Sequence, residues 1–260
     1  MIKRIAGVVT VLNDWAVQSI GYNKYRPLGR PEIIVQNLDR WQLEEIVITD
    51  ISRTKKKLGP NFNLLRKLSE KKIATPLTYI GGIRNVSDAV ETIKLGADRI
   101  GIENLIKSKP NEIKKISDSI GSQALILAQS VHQIGNTLMK MDYLNKKSKE
   151  LDIDQLTKYL ESASELLLID WKNEGFKNSF NETLLKHFEN KKVQIICFGG
   201  ISDAKQISSL LNKNQVSAIG IGNFLNYKEL GNWNLVKKTN HESTRQLTYG
   251  KLTQGAKEWF

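Results

Sequence analysis

Short runs of β-branched and aliphatic residues alternate with stretches whose apolar positions recur every three or four residues, up to about position 230. The apolar runs fall at 2–11, 45–50, 76–80, 98–102, 124–130, 165–170, 193–198 and 217–221. They are short and mostly unbroken by polar residues, as strands buried on both faces are. Between them, segments such as "NFNLLRKLSEKK", "SDAVETIKLG", "NETLLKHFENK" and "DAKQISSLLNKN" space apolar residues at i, i+3 and i+4 and open on Asn, Ser or Asp. That spacing with those caps predicts amphipathic helices. Eight strands alternating with helices over about 250 residues predict a (β/α)8 barrel, with ligands at the C-terminal ends of its strands. An open, doubly wound sheet would produce the same alternation.

An internal repeat favours closure. "YIGGI" at 79–83 recurs as "CFGGI" at 197–201, "RIGIEN" at 99–104 as "AIGIGN" at 218–223, and "EEIVITDIS" at 44–52 as "SELLLIDWK" at 164–172. The offset stays between 118 and 120 residues, so two four-strand halves are copies of one another. The same offset matches Thr10 with Ser130. The expected organisation is one half-repeated barrel over 1–232, followed by a polar, basic tail over 233–260 that either ends in a helix or stays disordered.

Charge changes this picture little. The net charge of +12 can mark nucleic-acid binding, but the lysines are dispersed among acids in helix ends and loops. No basic stripe interleaves with aromatics, so attraction for small anions is the expected consequence and no nucleic-acid partner is anticipated. No apolar run approaches the roughly 18 residues of a membrane span. A single cysteine, Cys197, excludes an intrachain disulfide framework. A soluble cytoplasmic chain without membrane partner, metal or cofactor is expected.

Candidate chemistry gathers at the strand ends. Gly81 and Gly82, with Asn104, end two strands of the first half. Gly199, Gly200, Gly220 and Gly222 end two strands of the second. Such glycines let a phosphate approach bare backbone N–H groups, or they simply serve tight turns; two matched sets favour a pair of phosphate sites. The first strand, in "GVVTVLNDWAVQS", is read as running into a loop, and Thr10 stands near its end where a barrel enzyme would be expected to carry a catalytic side chain. A hydroxyl with an ordinary pKa cannot take and return a proton as a tuned carboxylate does. Asp14, Asp50 and Asp170 are the neighbouring carboxylates that could substitute.

The stretches "KRIAGVVTVL", "LEEIVITDIS", "TPLTYIGGIRNVSDAVETIKLGADRIGI", "IGSQALILAQS", "SELLLIDWKNEG", "IICFGGISD" and "AIGIGNF" resemble the cyclase subunit family of imidazole glycerol phosphate synthase. The resemblance spans roughly residues 1–230. It implies a glutaminase partner docked under the barrel, ammonia passing up its centre, and a bis-phosphorylated ribonucleotide at the top. The two aspartates that serve as acid and base in that family correspond to Thr10 and Ser130, and its loop lysine to Gln18. Its channel gate of alternating charges corresponds to Arg4, Glu45, Arg99 and Glu165, and its partner-facing positions to Asp98 and Gln123. "YNKYRPLGRPEIIVQNLDRWQLEEIVITDIS" and "GPNFNLLRKLSE" resemble a branch that works with an N-acetyl-sugar amidotransferase in making acetamidino sugars of surface polysaccharides. The expected function is therefore ammonia delivery with cyclase activity lost. An ammonia-dependent cyclase–lyase of histidine biosynthesis is the alternative.

The remaining reactive residues add little. His132, His187 and His241 lack metal-ligand spacing. His187 reads as an ordinary helix residue and Cys197 as a small core hydrophobe. His132, Trp15 and Trp171 follow strands and are expected near the top face; Trp41 is expected to pack.

Overall fold

In a computed structural model that describes residues 3–145 and 147–226, the alternation closes on itself. The strands, in chain order, are β1 (Arg4–Leu12), β2 (Trp15–Ile20), β3 (Lys24–Gly29), β4 (Glu45–Asp50), β5 (Leu77–Ile80), β6 (Arg99–Ile102), β7 (Leu125–Ile134), β8 (Thr137–Asp142), β9 (Lys147–Glu150), β10 (Glu165–Asp170), β11 (Ile195–Phe198) and β12 (Val216–Ile221). Parallel pairing runs β1–β4–β5–β6–β7–β10–β11–β12 and returns to β1. This is a closed (β/α)8 barrel, and its eight staves are the eight strands predicted from the apolar runs. The tail expected over 233–260 lies outside the described residues.

Four strands were not anticipated. Instead of entering a loop, β1 turns at Asn13-Asp14 and runs back antiparallel as β2, with Leu12 opposite Trp15. Both turn residues are left-handed, at φ 51° and 66°, which is the two-residue hairpin geometry that Asn and Asp tolerate. β3 then pairs with β2. Half a barrel away, β7 turns at Gly135 and continues as β8 and β9. The same hairpin thus follows the first stave of each half.

Register carries the repeat into three dimensions. Val11 pairs with Asp50 and Val131 with Asp170, so Thr10 and Ser130 occupy equivalent places. Each aspartate is held alike. Asp50 accepts from Asn61 Nδ2 at 3.1 Å and Ser52 Oγ at 2.7 Å, and Asp170 accepts from the Asn181 N–H at 2.9 Å and Asn173 Nδ2 at 2.7 Å. Asn61 and Asn181, 120 residues apart, also cap the segments that follow them.

The helices form where caps and spacing predict. Asn61 accepts from the Leu64 N–H at 3.1 Å and starts Phe62–Glu70, whose Leu64, Leu65 and Leu68 are buried. Asn85 and Asp203 cap Val86–Lys94 and Ala204–Leu211 in the same way. One expected helix differs: "NETLLKHFENK" folds as a 3₁₀ segment, Glu182–Phe188. Leu184, Leu185 and Phe188 reach the core in that tighter winding too, so apolar spacing could not separate the two.

Two apolar layers result. One lies between staves and helices and includes Ile5, Val9, Leu38, Ile48, Leu65 and Phe188. The other fills the barrel itself with Ala6, Val8, Val47, Ile126, Ala128, Leu167, Ile196, Phe198 and Ala218. Because strand side chains alternate, the residues of β1 that point inward are Arg4, Ala6, Val8 and Thr10. One end of that line is a charge and the other a hydroxyl.

Candidate functional site

The two ends of the barrel are built from opposite chemistry. At the N-terminal ends of the staves, Arg4, Glu45, Arg99 and Glu165 meet in a closed ring. Arg4 Nε donates to Glu45 at 3.2 Å and its Nη2 to Glu165 at 2.7 Å; Arg99 bridges the same two glutamates. Thr78 Oγ1 donates to Glu45 at 2.7 Å and Ser217 Oγ to Glu165. The glutamates are buried, whereas the arginines stay part-exposed at the barrel floor. Burial works against the charged form of Arg4, yet bonds and attraction to Glu165 and Glu45 outweigh it and raise its pKa. Burial likewise opposes ionised Glu165, but Arg4, Arg99 and Ser217 hold its carboxyl below the usual range. Asp98 and Gln123 are exposed at this same end, just ahead of β6 and within the turn before β7.

At the C-terminal ends lies a cavity of about 1430 Å³. Seven lysines and Arg26 line it, among them Lys55, Lys56, Lys107 and Lys172, against the carboxylates of Asp50, Glu103 and Asp142. Asp142 is neutralised by Lys107 at 2.8 Å, and Asp50 is pinned by its hydrogen bonds. The cavity therefore carries uncompensated positive charge and suits an anionic ligand. Gly81, Gly82 and Asn104 line it; Gly199, Gly200, Gly220 and Gly222 are not among its walls.

Packing explains the glycines of both halves without a ligand. Gly82, at φ 72°, would place a Cβ 2.6 Å from the Gly59 carbonyl oxygen; Gly200, at φ 84°, would drive one into Ser179 Oγ. Around Gly200 the 173–180 loop closes in, with the Ser179 N–H donating to the Gly200 carbonyl at 2.8 Å. Phe198 packs beside Gly220 and Gly222. The β2–β3 hairpin lies over these second-half loops. Ser19 Oγ donates to the buried Glu174 carboxylate at 2.8 Å, the Gly21 N–H donates to the Glu174 carbonyl at 2.8 Å, and Asn223 Nδ2 donates to the Ser19 carbonyl.

Thr10 and Ser130 are buried hydroxyls of the top layer. Thr10 Oγ1 accepts from Thr49 at 3.4 Å. The Ser130 N–H donates to Glu103 Oε1 at 2.7 Å, and the Tyr143 hydroxyl donates to Ser130 Oγ. Burial pushes the Glu103 carboxyl up to about 7, against the lowering effect of its bonds from Ser130 and Tyr143. Glu103 is the functional candidate that sequence reading passed over. It was visible only as a residue following a glycine strand, and its setting depends on Tyr143, which arrives from the unanticipated β8–β9 turn. Tyr143 and Tyr22, from the tips of the two matched hairpins, meet edge to face with ring centres 6.4 Å apart.

Asp14 accepts from Asn61 Nδ2 at 2.7 Å, so the three carboxylates near Thr10 and Ser130 all serve turn and cap contacts. His132 does reach the top, where its Nδ1 accepts from Trp171 Nε1 at 3.0 Å; burial and Lys172 lower its pKa. Trp171 lines the cavity, Trp15 is exposed on β2, and Trp41 packs against the helix layer. Burial raises the Cys197 thiol, leaving it a core residue.

A closed barrel with a charged floor, a cationic mouth and a half-repeat is matched along nearly all of its described length by one family model, that of a histidine biosynthesis protein, over residues 4–231. The chain belongs to that family. Among relatives in the histidine biosynthesis family, the imidazole glycerol phosphate synthase subunit HisF of Flavobacterium psychrophilum is 27% identical, covering 88% of this chain and 92% of its own. Its namesake in Flavobacterium johnsoniae is 28% identical with the same coverage, and that of Dehalococcoides mccartyi 25% identical over 86% and 90%. Within the family, then, this chain is a barrel of the cyclase-subunit type. No helix among the described residues is long and apolar enough to cross a membrane.

Proposed function

We propose that this barrel docks a glutaminase beneath its charged floor and passes ammonia upward to the amidation of an N-acetyl sugar in surface polysaccharide synthesis, its cyclase chemistry lost. One observation carries the reading: the four-charge ring is complete, while hydroxyls stand at Thr10 and Ser130, where the family resemblance implies an acid and a base. A buried ion ring contributes little stability, because desolvation offsets most of its attraction, so its completeness points to a role beyond the fold. Two guanidiniums and two carboxylates make the ring net neutral, so it gives ammonium no net attraction to offset its desolvation, and neutral ammonia is the species that can pass. Asp98 and Gln123 supply exposed polar contacts at the same end. Arg4→Ala should uncouple glutamine hydrolysis from amidation, releasing ammonia to solvent, while the barrel stays folded. Coupling unchanged in Arg4→Ala would remove the ring from the pathway.

A second reading is an imidazole glycerol phosphate synthase cyclase subunit of histidine biosynthesis. The names of the relatives, the cationic cavity and the carboxyl of Glu103 favour it. Rescue of a histidine auxotroph by this chain would establish it. Adjacent genes separate the two readings most cheaply: a sugar amidotransferase beside this chain supports the first, histidine-pathway genes the second.

A further inference from the structure

The mouth of the barrel holds a group that ammonia delivery does not use. Glu103, at the end of β6, and Tyr143, at the tip of the β8–β9 hairpin, both line the cationic cavity. Ser130, fully buried behind them on β7, ties them together. Its N–H fixes Glu103 Oε1 at 2.7 Å, and its Oγ accepts the Tyr143 hydroxyl, which also lies 3.5 Å from Glu103 Oε1. Oε1 is the carboxylate oxygen that the Ser130 N–H and the Tyr143 hydroxyl address. A carboxylate anchored at Oε1 in the wall of a cationic cavity, with a phenol beside it, has the parts of a base next to an oxyanion donor.

We propose that Glu103 and Tyr143 form a proton-transfer centre for a phosphorylated carbonyl compound bound in the top cavity, with Ser130 positioning both. The lysine-rich lining supplies the handle for the phosphoryl group. Glu103 Oε2 removes a proton from the carbon beside the carbonyl. The electron pair of that C–H bond forms the carbon–carbon double bond of an enolate, and the carbonyl oxygen takes the negative charge. Tyr143 turns its hydroxyl from Ser130 to that oxygen. The Glu103 carboxylic acid then returns a proton to carbon, so no oxidant, reductant or second substrate is required. The titratable groups around the carboxylate agree with this division. Tyr22 and Tyr143 both feel its charge, Tyr25 acts on each of them, and burial keeps both phenols protonated and able to donate.

The test uses the full chain in deuterated buffer with dihydroxyacetone phosphate as the probe, following replacement of its carbon-bound hydrogens by NMR. Wild type should exchange them above the solution background, with a rate that rises through about pH 7 as Glu103 ionises. Glu103→Gln and Tyr143→Phe should each slow exchange roughly 100-fold or more, within the range for loss of acid–base and oxyanion groups. Inorganic phosphate should bind Glu103→Gln at least as tightly as wild type by calorimetry, because a negative charge has left the cavity wall; weaker binding would mean that the cavity itself is disturbed. Ser130→Ala should move the pH midpoint upward, because its hydroxyl favours the ionised carboxylate; a merely structural serine would leave the midpoint alone. Equal exchange by wild type and Glu103→Gln, or none by wild type, overturns the proposal. Should Glu103→Gln fail to fold, a pH profile of wild type that is flat between 5 and 9 overturns it equally.

Discussion

The floor and the mouth of this barrel use the same residue types for different ends. At the floor, two arginines and two glutamates satisfy one another completely, so little field escapes to attract anything. At the mouth, seven lysines and an arginine face one acid paired to a lysine, one held by turn contacts and one driven toward its neutral form. Charge that is internally paired fixes geometry; charge left unpaired attracts anions. The comparison teaches that counting charges, as the net +12 does, predicts neither end, because pairing decides what each charge does.

The most severe way to break this contrast is to unpair the floor. Replacing both Arg4 and Arg99 by Met leaves Glu45 and Glu165 buried without cationic partners, held only by the Thr78 and Ser217 hydroxyls. Loss of about 3–5 kcal/mol is expected in denaturant unfolding, as for other broken buried pairs. The loss should shrink as pH falls. The ring lowers the folded pKa of Glu165, so its contribution is present above the unfolded value of about 4.3 and disappears as pH drops through the folded one.

At the mouth the sign reverses. Burial raises Glu103 to about 7 in the folded chain, so its stabilising effect is present below the unfolded pKa and lost as pH rises through 7. Glu103→Gln should therefore gain stability over wild type between pH 5 and pH 8, by on the order of 1–3 kcal/mol. A group that costs stability at neutral pH is one the fold would discard unless the site uses it. Thermal melts of the two proteins across that range measure the gain.

Smaller effects sharpen the comparison between halves. Asp50→Ala and Asp170→Ala each remove a buried acceptor from a matched Asn contact, so both should lose about 1–3 kcal/mol and by similar amounts. Unequal losses in urea unfolding would mean that the halves have diverged in more than their surfaces. Smallest of all is Gly222→Ala. Its Cβ would sit 3.4 Å from Phe198, an ordinary contact, so stability should change by less than about 0.5 kcal/mol. If phosphate binding also stays unchanged, the second-half glycines are turn and packing residues only.

Much of the barrel was legible because its staves are buried on both faces and therefore read as unbroken apolar runs. The floor was legible too, since Arg4, Glu45, Arg99 and Glu165 each begin a stave and one strand direction brings all four together. The hairpins were not. β9 reads "KSKE", exposed throughout, and β3 carries Pro27 among polar residues, so neither shows the alternation of a half-buried strand. With the hairpins went the mouth: Tyr22, Tyr143 and the surroundings of Glu103 exist only once the two tips fold over the barrel. The glycine pairs are symmetric in sequence, and their symmetry holds in the backbone. The β2–β3 hairpin and the 173–180 loop then cover one set while the other faces the cavity, a difference that repeated motifs cannot express.

The central claim, that the floor is a docking surface for a glutaminase, is tested most directly by binding. The full chain would be mixed with the purified glutaminase encoded beside it, and complex formation followed by sedimentation. A 1:1 complex that stimulates glutamine hydrolysis, with Arg4→Ala keeping the stimulation but releasing the ammonia to solvent, is the predicted result. No complex at micromolar concentrations of both proteins would contradict it.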